Sequence, residues 1–199
     1  MSNTTTSTVV GNDGNQPGKP VAAQEKKPIR AFVIRGPPAS GKSTVAALLC
    51  QTLRERLVSN GESKDLVAFI DQDYFRNGIL GSFGASSQIA QPVMLGAARG
   101  ALEGGCRYVV FAGLLTVPKH LFLIGELHKI FGASNVTVSY FDVPLKVVLE
   151  RHAHRGNNFD PAKLEKYFKL CRPAEVDGEI VFSNSGTAQE AVQRLLDGL

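Results

Sequence analysis

The chain has 199 residues, 43% of them hydrophobic and 20% charged, with a net charge of +4. That balance excludes a purely disordered or fibrous protein. No run approaches the ~18 consecutive apolar residues that cross a bilayer, so no membrane-spanning helix is expected, and so mild a positive excess does not by itself call for a nucleic-acid partner.

Residues 1–27 carry no aromatic residue and are dominated by Ser, Thr, Asn, Gly, Gln and Pro. Such a segment buries too little apolar surface to offset its ordering entropy, so a disordered tail over 1–27 and one domain over 28–199 are expected. It lacks the continuous apolar run of a secretory signal and the arginines of a transit peptide. Cys50, Cys106 and Cys171 are odd in number and widely spaced, which reads as reduced, buried thiols in a cytoplasmic protein.

Beyond the tail, short β-branched runs alternate with helical patterns. Residues 29–35 form a strand candidate, and Lys42 to Val58 repeats apolar residues at helical spacing through Val45, Leu48, Leu49, Leu53 and Leu57. Residues 66–70 predict a second strand. Residues 87–102 are weakly helical, interrupted by Pro92, Gly96 and Gly100. A third strand is expected over 108–111, a helix over 118–131 and a fourth strand over 136–141. A helix follows from Leu145 to about His152. Asp160-Pro161 reads as an N-cap with proline at the first helical position, opening a helix to about Leu170. A short fifth strand over 179–182 precedes a capping box at Thr187 to Glu190 and a last helix. Continuous apolar strands separated by helices imply a parallel sheet covered on both faces, a three-layer α/β/α domain with five strands.

Between the first strand and the first helix stand Gly36, Pro37, Pro38, Ala39, Ser40, Gly41, Lys42, Ser43 and Thr44. They match G-x-x-x-x-G-K-[ST] in the context that motif needs, a P-loop that cradles the phosphates of ATP. The glycines let consecutive N–H groups point at one centre, and the helix start adds partial positive charge. Lys42 is expected to reach the outer phosphates and Ser43 to ligate Mg²⁺. No N-K-x-D base-reading motif follows, which argues against a GTPase. The third strand ends in Ala112-Gly113 where an AAA-type ATPase would carry an acid, which argues against that class as well.

At the carboxyl edge of the second strand stands Asp71-Gln72-Asp73-Tyr74-Phe75-Arg76. Phosphoryl transfer to a hydroxyl uses a carboxylate at the acceptor, a metal near the transferred group and a cation for the developing charge. Asp73 is favoured as the base that meets the acceptor and Asp71 as the metal partner, with Tyr74 and Arg76 beside the acceptor. The two carboxylates converge only if the strand stays extended to residue 73; otherwise Asp71 and Asp73 cap the next segment as a turn. Tyr74 and Phe75 each read as a pocket wall or as ordinary packing. His152, His154 and Cys171 show no recognised zinc spacing. His120 and His128 read as surface positions of their helix, and 121–124 as core.

The chain resembles the P-loop small-molecule kinases, in particular the zeta-toxin-like and predicted-kinase branch of the nucleoside-kinase-like group. The resemblance spans about residues 29–199 and is carried by GPPASGKST at 36–44, DQDYFR at 71–76, VVFAGLL at 109–115 and YFDVPLKVVLERHAHR at 140–155. It implies ATP and Mg²⁺ as cofactors and a small metabolite or nucleotide-sugar-like molecule as phosphoryl acceptor. It also implies a lid in which Arg151 and Arg155, four apart and so on one helix face, meet the ATP phosphates. Members commonly carry an acid where this chain has Ala112. Two rival readings remain open, a kinase of 5′-hydroxyl nucleic-acid ends and an ATP-binding interaction protein without turnover.

Overall fold

A computed structural model describes residues 29–81, 87–154, 160–183, 186–197 and 199. The tail call over 1–27 and the Arg155 call therefore lie outside the described residues.

Five strands form one parallel sheet: β1 (Arg30–Arg35), β2 (Val67–Asp71), β3 (Tyr108–Gly113), β4 (Val136–Asp142) and β5 (Ile180–Ser183), in the order β2-β3-β1-β4-β5. Every pairing is parallel, so each connection must cross the sheet, and helices fill those crossings. Helices α1 (Lys42–Ser59), α5 (Leu145–His154), α6 (Pro161–Lys169) and α7 (Ala188–Leu196) cover one face. Helices α3 (Ser87–Glu103) and α4 (Leu121–Phe131) cover the other. The short helix α2 (Gln72–Tyr74) continues into a π-helical turn, Phe75–Ile79, at the end of β2.

Strand alternation divides the core. Phe32 and Ile34 of β1 pack with Leu49, Leu53 and Leu57 of α1 and Leu195 of α7, whereas Ala31 and Val33 pack with Met94 of α3 and Leu123 and Leu127 of α4. Each fully buried leucine contributes roughly 1.5–3 kcal/mol of burial. That burial explains α3, which runs unbroken through Pro92 despite its weak local pattern because Ala90, Met94, Leu95 and Ala98 are all buried.

α1 leaves β1 on one face and α4 follows β3 on the other, although β1 and β3 are neighbours. That divergence marks the carboxyl ends of β1 and β3 as the edge where open α/β sheets bind ligands. α4 begins at Leu121 rather than near Pro118, because residues 114–120 are a loop held by the side chains of Gln72, Arg35 and Gln91 and by its own His120. The Thr187 capping box and the Asp160 cap form as expected.

Candidate active site

The loop after β1 curls tightly. Gly36 has φ +153, and a Cβ there would meet Phe141 Cβ and the Phe141 carbonyl oxygen at 3.0 Å, so any side chain there is both strained and crowded. Gly41 caps α1 at φ 96, a left-handed conformation that only glycine adopts freely. The Ser40 amide donates to the Pro37 carbonyl at 3.3 Å, and Lys42 Nζ donates to the same carbonyl at 3.0 Å. Arg151 of α5 donates from Nη1 to the Ser40 carbonyl at 3.3 Å. The buried Ser40 hydroxyl has no hydrogen-bond partner among the described residues. Two cations, a helix start and an unsatisfied hydroxyl thus surround one loop, the set of groups that an anion recruits.

Beside the loop lies a cleft of about 690 Å³, within the usual range for small-molecule sites, whose lining includes Ser40, Thr44, Phe141, Arg151, Phe182 and Arg194. Phe141 and Phe182 stack at 4.9 Å between ring centres, and the Arg194 guanidinium lies 5.3 Å over the Phe182 ring. A flat, polarisable wall of that kind suits an aromatic heterocycle.

On the other side of β1, β2 stops at Asp71. Residues 72–74 turn helical, so Asp71 and Asp73 do not share a strand face, and the alternative turn reading holds for Asp71 alone: its Oδ1 caps α2 by accepting the Tyr74 amide at 2.8 Å. Asp73 and Tyr74 are exposed, Tyr74 at 64%. Phe75 is buried in the α3–α4 core and meets Tyr74 edge to face at 6.2 Å, so of the two rings it is the packing residue. Arg76 is half-buried in the turn that follows. Asp71 pairs in register with Ala112, which pairs with Ile34 of β1. Ala112 is 1% exposed and packs with Ile34 and Val110 on the α1 face, which puts no carboxylate between Asp71 and the loop strand.

Several side chains at this edge carry no recognisable sequence signal. Gln72 is buried, with Oε1 accepting the Leu114 and Leu115 amides at 2.9 and 3.4 Å. Its Nε2 lies 3.0 Å from His120 Nε2, and His120 Nδ1 lies 3.0 Å from the Thr116 carbonyl. His120, expected on a helix surface, is therefore corrected to a buried position: it precedes α4, and its ring satisfies polar groups that water cannot reach. Burial holds its pKa below the ordinary value. His128 is half-buried, and of residues 121–124 only Leu123 and Ile124 are core, Leu121 and Phe122 being exposed.

Arg35, the residue before the loop, is fully buried. Its guanidinium donates to Glu179 Oε1 at 2.7 Å, the Arg172 carbonyl at 2.7 Å and the Leu115 carbonyl at 3.2 Å, and lies 5.0 Å over the Tyr140 ring. Burial pushes the Tyr140 phenol up to about 12 and the Cys50 and Cys171 thiols up to about 11, far from reactive thiolates. Cys50 is buried, Cys106 and Cys171 only partly, and all three are free.

The chain belongs to the AAA domain family, which matches residues 32–170. Ala112 therefore does not set the chain outside that family, as the missing acid had argued. No curated protein matches its sequence. Its fold is that of P-loop kinases. APS kinase from Mycobacterium tuberculosis, solved with AMPPNP and APS, superposes at TM-score 0.59 with 20% identity over 86% of this chain and 97% of that one. A gluconokinase from Sinorhizobium meliloti 1021 gives 0.57 with 18% identity over 86% and 91%. The tunicamycin resistance protein of Deinococcus radiodurans gives 0.58 with 19% identity over 85% and 94%. Among the described residues no helix is long and apolar enough to cross a membrane.

Proposed function

We propose that this protein is an ATP-dependent phosphotransferase that moves a phosphoryl group from ATP to a hydroxyl of a small metabolite or nucleotide-sugar-like acceptor. The observation that carries the reading is the curled loop of residues 36–43, with Lys42 and Arg151 folded onto its carbonyls, opening to the cleft and standing at the same carboxyl edge of the sheet as the Asp71–Arg76 turn. The nucleoside end of ATP lies along Phe182 and Arg194, and its phosphates lie on the amides of the loop. Lys42 exchanges the Pro37 carbonyl for the outer phosphates. Arg151, and Arg155 in the role the resemblance implies for it, neutralise the charge that spreads over the transferring group.

Asp73 is exposed and free to approach an acceptor. It takes the hydroxyl proton as the acceptor oxygen bonds to the γ-phosphorus and the bond from that phosphorus to the bridging oxygen breaks, releasing ADP. Tyr74 walls the acceptor and Arg76 faces its polar groups. Magnesium suits the hard oxygens available, the exposed Ser43 hydroxyl and the second oxygen of Asp71, because this ion takes few protein ligands beside phosphates and water. When bound, it screens the phosphate charge that would repel the incoming oxygen.

Within the P-loop kinases we place the chain in the zeta-toxin-like and predicted-kinase branch, on the motifs at 36–44 and 71–76, and in the cytoplasm. The buried Ala112 favours a second reading, a nucleotide-binding interaction protein that does not turn over. ADP release measured against sugars, nucleosides, nucleotide sugars and oligonucleotides separates these. Release dependent on a small hydroxyl compound supports the kinase, release dependent on oligonucleotides supports the 5′-end kinase, and ATP binding with no acceptor-dependent release supports the interaction protein.

A further inference from the structure

The Asp71–Arg76 turn is fastened to the 114–120 loop by a buried relay whose polarity can be read atom by atom. The Thr116 carbonyl only accepts, so His120 Nδ1 must carry the proton that reaches it at 3.0 Å. In a neutral ring Nε2 is then a bare acceptor, and it takes an N–H of the Gln72 amide at 3.0 Å. That fixes the Gln72 amide the right way round, its oxygen turned to the Leu114 and Leu115 amides at 2.9 and 3.4 Å. Each contact of the relay then joins one donor to one acceptor, in one tautomer and one protonation state. Gly113 makes room for it: a Cβ there would lie 2.6 Å from both Gln72 Cβ and Oε1.

We propose that Gln72 and His120 are positioning residues that hold the Asp71–Asp73 turn in its working place against the 114–120 loop, and that the relay releases the turn when His120 takes a second proton. A doubly protonated ring sets an N–H against the Gln72 NH₂. Turning the Gln72 amide relieves that clash only by setting the NH₂ against two backbone N–H groups. Either way a buried donor loses its acceptor, at roughly 1–3 kcal/mol. The charges acting on the ring are Arg35 from β1, Arg76 from the turn after α2 and Lys119 from its own loop, all positive, so they oppose the second proton, as burial does. The consequence for turnover rests on the kinase reading above, because it places Asp73 at the acceptor; the relay itself does not. ATP lies on the far side of β1, so acid should weaken the use of the acceptor and spare nucleotide binding.

The test uses the full chain and two variants, His120→Gln, which offers an acceptor and a donor but does not titrate, and His120→Ala. Amide hydrogen exchange, corrected for its intrinsic pH dependence, should speed at Leu114 and Leu115 by about tenfold between pH 7.5 and the pH at which nitrogen NMR shows the wild-type His120 ring doubly protonated. It should be fast at both pH values in His120→Ala and slow at both in His120→Gln. With any acceptor found in the ADP-release panel, the acid limb of kcat should move to lower pH in His120→Gln while the KM for ATP stays within about twofold. Nitrogen NMR of the wild-type His120 ring should show the Nδ1–H tautomer, a readout that stands even if a variant fails to fold. An Nε2–H tautomer, or pH-independent exchange in the wild type, overturns the relay. If no panel compound is phosphorylated, the kinase reading fails while exchange and tautomer still decide the relay.

Discussion

Lys42 already donates to a carbonyl of its own loop at 3.0 Å, so its charge is held at the phosphate cradle before any ligand arrives. Lys42→Ala removes that charge but leaves a strong helix former at the first position of α1. ATP-dependent turnover should fall by about 10²-fold or more with an unchanged melting temperature. Wild-type turnover in that variant would remove the loop from the mechanism. The two carboxylates separate by what each touches. Asp73 is exposed and caps nothing among the described residues, so Asp73→Asn should lower kcat by about 10²-fold with ATP affinity intact, the pattern of an interaction made in the transition state. Asp71 also caps α2. Asp71→Asn keeps a capping oxygen for the Tyr74 amide, so its effect should appear as a higher Mg²⁺ requirement rather than as lost stability. Should Asp71→Asn abolish turnover at saturating Mg²⁺ while Asp73→Asn leaves it unchanged, the roles are exchanged.

Strands and helices were legible because each is built from neighbours in sequence. β1 and β3 are continuous apolar runs, β4 is rich in β-branched and aromatic residues, α1 repeats leucines at helical spacing, and the Thr187 box is complete within four residues. The phosphate loop was legible for the same reason. What joins the elements was not. Gln72 reads as the spacer of an Asp-x-Asp pair, yet it ends in contact with a histidine 48 positions away. His120 reads as one polar residue before a helix, and only the third dimension shows that the residues around it leave no water. Gly113 is the element-scale consequence. It ends β3, and adding a Cβ there must displace Gln72 from a separation of 2.6 Å. Gly113→Ala should therefore cost about 1–3 kcal/mol in urea unfolding through overpacking. It should also speed amide exchange at Leu114 and Leu115. A Gly113→Ala protein as stable as the wild type would mean that the Gln72 side chain has room to withdraw.

At the scale of the whole molecule, Arg35 joins parts of the chain that the sheet alone leaves separate. From the end of β1 it reaches Leu115 in the loop after β3, 80 positions away, and Glu179 before β5, 144 positions away. Glu179 in turn accepts the Ala174 and Glu175 amides at 2.7 and 3.0 Å, so one ion pair orders the whole 171–179 approach to β5. The arginine side chain is 0% exposed and the glutamate 4%, which makes this a pair whose charges have lost most of their water. Attraction between such charges roughly balances the cost of burying them, but either charge left alone is expensive. Arg35→Met should therefore destabilise the fold by about 3–5 kcal/mol, since Glu179 stays behind as an uncompensated buried carboxylate. Glu179→Met should cost a similar amount, because the guanidinium is then stranded beneath the phosphate loop. The double variant should recover much of that loss, having no charge left to bury, although it still gives up the bonds to the Arg172 and Leu115 carbonyls. Urea unfolding of the four proteins in one double-mutant cycle measures the coupling directly. If the double variant is destabilised by the sum of the single losses, the pair is not acting as a unit, and Arg35 matters through its backbone bonds and its stacking on Tyr140 alone.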